Sequence, residues 1–226
     1  MNQISRFLFP AFIAGLSLVA CKNDAPVKKT ETNAAPNPDT VRFEPAPREG
    51  AASYRVSSGT VYWSAKRAIG SMHNGAIPVS GGELMVNQGQ VVGGRIALNM
   101  SSIEVTNMDD KSEKATLESH LKDKDFFDVK KFPEATFELT EILPSTQAAF
   151  NWVIRGNLTI KDKSQPVNIP VRMSIADGKL IAESVTFVIN RTKWGVNFRS
   201  GILGTAKDKV IEDVVSLSLK IEAVKN

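Results

Sequence analysis

From Tyr54 onward the chain alternates apolar and polar residues with a period of two, the mark of half-buried strands. Val61, Trp63 and Ala65 alternate with Tyr62 and Ser64. Residues 77–86 form a second extended stretch, broken at Gly81-Gly82, where a bulge or bend is expected. Gly94, Ile96, Leu98 and Met100 stand opposite Arg95, Ala97 and Asn99. Phe137 and Leu139 mark a fourth strand, and Trp152, Ile154, Gly156, Leu158 and Ile160 a fifth. Residues 167–175, 180–189 and 215–223 complete the series, with Asp177-Gly178 as a hairpin turn between the sixth and seventh strands. About eight strands of this kind predict an antiparallel, all-β domain. A sandwich and a closed barrel both bury one apolar face per strand, so the alternation alone leaves both open.

One stretch departs from this period. Asp110 and Glu113 are spaced as a capping box, and Leu117 and Leu121 share a helical face, which predicts a short helix over about 110–122. Asp125 and Asp128 suit the turn that follows. Phe126 and Phe127 are adjacent, so in extended chain only one of them faces inward. Phe132 precedes Pro133 and is pushed to extended geometry before the next strand. The segment reads as a helical lid that turns and sets aromatic side chains against a sheet.

Composition adds the compartment. Of 226 residues, 42% are apolar and 23% charged, as in an ordinary globular protein. The net charge is +4, or +3 without residues 1–20, and there is no basic helix, which argues against a nucleic-acid partner. Residues 1–20 read as a signal peptide: Arg6 is their only charge, and Phe7 to Ala20 is apolar apart from Ser17. The segment ends Leu18-Val19-Ala20-Cys21, the pattern of a bacterial lipobox, which implies cleavage after Ala20 and acylation of Cys21. Cys21 is the only Cys in the chain and has no internal disulfide to make. Several acyl chains on it would hold the protein firmly to a membrane. Lys22 stands where some bacteria place an inner-membrane retention Asp, which favours the outer membrane. Residues 21–52 then form a linker with five prolines and too few apolar side chains to offset the entropy of ordering. A domain over 53–226 follows.

The stretch His120-Leu-Lys-Asp-Lys-Asp-Phe-Phe-Asp-Val-Lys-Lys-Phe-Pro-Glu-Ala-Thr-Phe137 resembles the signature of the YceI-like family, lipocalin-like polyisoprenoid-binding proteins of bacterial envelopes. The segments "GGRIALNMSSIEV", "IRGNLTIKDKSQPVNIPV" and "NRTKWGV" fit the family in the same order, and the resemblance covers about 53–223. Many members open with Asp-x-x-His-Ser; here there is no His before His73, so no role of such early histidines carries over. The resemblance implies an elongated, eight-stranded lipocalin-like barrel. A barrel of that strand number is filled by its side chains or holds one small ligand.

No catalytic arrangement competes with that reading. The chain has no Gly-x-Ser-x-Gly elbow, P-loop or Rossmann fingerprint, and Asp109-Asp110 reads as helix capping. A zinc site would have to be built from His73, His120 and Asp123 or Asp125, a poorer set than zinc usually takes, so His120 is read as packing at the helix end. No cofactor is expected. Trp63, Phe126, Phe127, Phe137, Trp152 and Phe187 are candidates for lining a ligand tunnel, although the same residue types fill ordinary cores. Gly94 and Gly156 are candidates for leaving it room. Arg191, Lys193 and Trp194 are candidates for a barrel mouth that receives a head group, with surface charge and an indole plug as the plainer reading. The expected partners are an isoprenoid lipid or quinone, a membrane reached through acylated Cys21, and a second copy of the chain in a homodimer.

Overall fold

The computed structural model of the chain describes residues 48–201 and 204–226; the expected signal peptide, Cys21 and the expected linker up to residue 47 lie outside them. Ten strands and one α-helix are present among the described residues. In chain order they are β1 (Ala52–Lys66), β2 (Met72–Asn87), β3 (Gln90–Asn99), β4 (Glu104–Val105), α1 (Lys111–Lys122), β5 (Glu134–Pro144), β6 (Trp152–Ile160), β7 (Lys163–Ala176), β8 (Lys179–Ser184), β9 (Phe187–Asn190) and β10 (Val214–Lys225). Every pairing is antiparallel, and β1 pairs with both β10 and β2, which closes the sheet. The ring runs β1-β10-β8-β7-β6-β5-β3-β2, eight strands, with β4 added to β2 and β9 to β10. Closure joins β1 to both neighbours, where a sandwich would leave two separate sheets.

Local sequence explains the elements. In the β2–β3 ladder the register shifts between Val79 and Gly81, at the expected glycine pair. Asp177 and Gly178, at φ 50° and 71°, make the tight β7–β8 turn; Gly supplies the second positive φ at no steric cost. Asp110 caps α1, its Oδ1 accepting from the backbone N–H groups of Ser112 at 2.8 Å and Glu113 at 2.9 Å. Leu121 of α1 is buried and Leu117 packs beside it, as their spacing requires.

One expected strand is two. The alternation over 180–189 reads as a single strand, yet β8 ends at Ser184 and β9 begins at Phe187. The Ser184 hydroxyl accepts from the Leu219 backbone N–H at 2.9 Å, so a side chain replaces a ladder acceptor at the break.

Antiparallel connection puts the β2–β3 and β7–β8 turns at one end of the barrel. The β1–β2 connection, α1 and the β9–β10 connection lie at the other, the lid end. Tyr54, Val86, Val91, Ile142, Leu180 and Ala223 fill the first end. At the lid end Trp63, Met100, Val105, Leu121, Phe126 and Val196 form a second cluster. The lid is tied down by the Glu118 carboxylate, which accepts from the Val105 backbone N–H at 2.8 Å.

Candidate ligand-binding cavity

Between the two clusters the inward faces of the strands do not meet. They leave a cavity of about 180 Å³, with Val61 of β1, Leu84 of β2, Leu139 of β5, Ile169 of β7, Phe187 of β9 and Leu219 of β10 among the residues around it. Every lining residue is apolar except Arg191. An enclosed apolar void of about 150 Å³ stays dry and takes up benzene, so a cavity of this size and lining favours a hydrocarbon group over water.

Several of the expected residues stand on this wall: Trp63, Gly94, Phe126, Phe127, Phe137 and Phe187. The two adjacent phenylalanines both reach it, which extended chain would forbid. The backbone there is turned: the Phe127 N–H donates to the Leu121 carbonyl at 3.2 Å and the Val129 N–H to Lys122 at 3.0 Å. Phe126 is the more buried of the two, at 6% exposure, and Phe127 is half-buried. His120 packs edge-on against Phe126 and Phe198, with ring centroids 5.0 and 4.7 Å away, and its Nε2 lies 3.9 Å from Asp125 Oδ2. His73 is occupied elsewhere, its Nε2 3.2 Å from Ser71 Oγ.

Others stand off the wall. Trp152 packs against the core at the far end from the lid. Gly156 leaves no free room, because a Cβ there would run into the Phe137 ring and the Glu138 carbonyl. Gly94 does face the cavity, but its φ of +149° and the nearby Glu83 carbonyl mean that its lack of a side chain serves the backbone first.

The 191–194 segment departs furthest from the expected mouth. It forms a 3₁₀ turn in which Arg191 and Trp194 are buried and Lys193 is exposed. The Arg191 guanidinium donates to the carbonyls of Glu212 (3.1 Å), Val196 (2.6 Å) and Ile211 (2.9 Å) and to Asp213 Oδ1 (3.2 Å). Asp213 Oδ2 accepts in turn from the Ser200 hydroxyl at 2.9 Å. Burial pulls the Arg191 pKa down and Asp213 pulls it back up; a guanidinium remains charged throughout. Its donors are spent on holding the β9–β10 connection together rather than presented to a head group. The Trp194 indole N–H donates to the Leu158 carbonyl at 2.8 Å, as a plug would.

Sequence reasoning missed Leu84, Ile154, Met173 and Leu219 as cavity residues. No signal separates them, because pockets and cores draw on the same apolar types.

Comparison with known proteins places the domain. The model of the YceI-like domain matches residues 54–223. The chain belongs to the YceI-like family. A UPF0312 protein of Pseudomonas aeruginosa is 28% identical over 125 residues, 55% of this chain and 53% of that protein. One of Yersinia enterocolitica is 28% identical over 79 residues, 35% of this chain and 36% of that protein. The chain thus spans about half the length, or less, of these curated relatives. Among solved structures, Burkholderia cenocepacia BcnA superposes with a TM-score of 0.56 at 21% identity, over 73% of this chain and 95% of its own. A polyisoprenoid binding domain from Saccharophagus degradans does so with a TM-score of 0.55 at 8% identity, over 77% and 99%. These two likenesses show the shared lipocalin-like barrel. Within the YceI-like domain of this chain, the signature stretch from His120 to Phe137 builds the end of α1, the aromatic turn and the start of β5.

Proposed function

We propose that the barrel binds the hydrocarbon tail of a lipid, a polyisoprenoid or an isoprenoid quinone, and carries or sequesters it in the cell envelope without chemistry. The observation that carries this reading is the apolar cavity between the two clusters of buried side chains in the barrel. Transfer of a hydrocarbon chain into it gains about 0.8 kcal/mol per buried CH₂, with no polar contact needed. The solved relative named as a polyisoprenoid binding domain supports the same ligand class. At about 180 Å³ the cavity holds roughly one to two isoprene units, by comparison with the benzene-sized void above. A longer tail therefore displaces lining side chains, those of the lid turn first. Acylated Cys21 would tether the carrier to the membrane that supplies the lipid, the outer membrane by the residue at position 22.

A barrel filled by its own side chains, serving a structural role in the envelope, is the second reading; the small size of the cavity favours it. Isothermal titration with short prenyl alcohols separates the two. Binding with a negative heat-capacity change supports the carrier, since apolar burial has that signature. No heat at saturating ligand at any of several temperatures supports the structural barrel, because apolar binding with a finite heat-capacity change cannot be athermal at all of them.

A further inference from the structure

Ladder pairing lapses at three places in the barrel wall: between β1 and β2 over residues 56–59 and 79–82, between the start of β3 and the end of β5, and along β7. β7 pairs with β6 over Lys163 to Val171 and with β8 over Val171 to Ala176. Past the β8 break, β9 pairs with β10 alone, so the first half of β7 and the whole of β9 face each other with no ladder between them. The last bond across this line is the one from the Val185 N–H to the Pro170 carbonyl, at 3.2 Å. Alternate residues of a strand present their backbone groups to the same side. Pro170 points its carbonyl toward the seam, so Asn168 and Pro166 share that side. Two of these three residues are prolines and have no N–H to give, so β9 cannot zip onto β7 there.

The side chains on the two borders are part of the cavity wall. Val167 and Ile169 of β7 and Phe187 and Ile189 of β9 all line it. Where the wall is laddered, the inward residues Val171, Met173, Leu180 and Ala182 are buried. Along the seam Val167, Phe187 and Ile189 are half-buried and Ile169 is buried; Ile96 and Ile154, in laddered parts of the wall, are half-buried too. The unpaired part of β7, Lys163 to Pro170, is about 26 Å long at 3.3 Å per residue, and the four residues of β9 face about 13 Å of it. The seam ends at the lid end against Trp194, whose indole is held on Leu158. Its outer flank on the β9 side carries little charge: Val188 is 61% exposed, and Val214 and Tyr62 are exposed with Ser64, Ser216 and Ser218 between them in register.

We infer that an apolar chain enters the interior sideways, through the seam between β7 and β9, rather than past the helical lid. This rests on the lipid-binding reading and adds the route. Parting the wall along the seam breaks only the Val185–Pro170 bond at its end; the lapse between β1 and β2 is closed by ladder on both sides, and the one between β3 and β5 lies over the filled end, where Val91 and Ile142 are buried. The lid end offers the opposite, since Glu118 bonds Val105, the Lys161 ammonium donates to the Phe126 carbonyl at 3.2 Å, and Arg191 fixes the neighbouring connection.

The test is the rate of uptake of a fluorescent prenyl probe by the full chain carrying Cys21→Ser. One variant adds Asn168→Cys and Val188→Cys, both outward-facing on opposite borders of the seam, joined by a bismaleimide with a reducible spacer. A second variant joins Ser119→Cys of the lid to Asn197→Cys of the β9–β10 connection with the same reagent. The seam link is expected to slow uptake at least tenfold and reduction to restore it, while the lid link leaves the rate unchanged. Uptake that is unaffected by the seam link, or stopped by the lid link, overturns the lateral route while leaving lipid binding standing. A chain without either link that takes up no probe overturns both.

Discussion

The ring of Phe137 on β5 lies directly over Gly156 on β6, so that any side chain at 156 would collide with it. The pair fixes how closely two neighbouring strands carry a large aromatic between them. Phe137→Ala should destabilise by about 3–5 kcal/mol, the usual cost of emptying a buried phenylalanine site. Gly156→Val should destabilise as well, because it meets backbone as well as the ring. Urea melts of the two variants check both, and a wild-type midpoint in either would mean that the strands have slack here.

Phe126 and Phe127 should separate in the same assay. Phe126→Ala removes a buried ring that Phe198 and His120 touch, and should cost about 3–5 kcal/mol. Phe127→Ala, from a half-buried site, should cost clearly less.

The β9–β10 connection should depend on one ion pair. Asp213→Ala leaves the Arg191 guanidinium buried without its counter-charge, and breaking such a pair costs about 3 kcal/mol or more. Hydrogen exchange should show the loss locally, in faster exchange of the Arg191 and Val196 amides, which donate within this connection.

These residues also mark how far the sequence could be read. The strands were legible because a half-buried wall must alternate, and the helix start was legible because Asp110 caps it. Barrel closure was not legible in the alternation, since a sandwich alternates in the same way; the resemblance to the YceI-like family implied it, and the β1–β2 and β1–β10 pairings bear it out. The break at Ser184 was hidden by unbroken apolar alternation, although Pro166 and Pro170 on the partner strand were a readable sign of an unpaired edge. Arg191 read as a surface cation because its counter-charge, Asp213, lies 22 residues away in sequence. The two phenylalanines read as opposed because extended chain was assumed where the backbone turns.

Lipidation is a separate expectation. Cys21→Ser should move the protein from the membrane to the soluble fraction, and intact mass should show the acyl chains lost. A wild-type chain with an unmodified thiol would remove the tether from the proposal.

The central claim is an apolar chain inside the barrel, and native mass spectrometry of the protein purified from its host tests it most directly. The expected spectrum shows one lipid-sized adduct per chain, much reduced in an Ala182→Leu variant that fills the cavity from β8 while keeping the wild-type circular dichroism. Bare protein mass in the wild type, persisting after incubation with prenyl lipid, would contradict it.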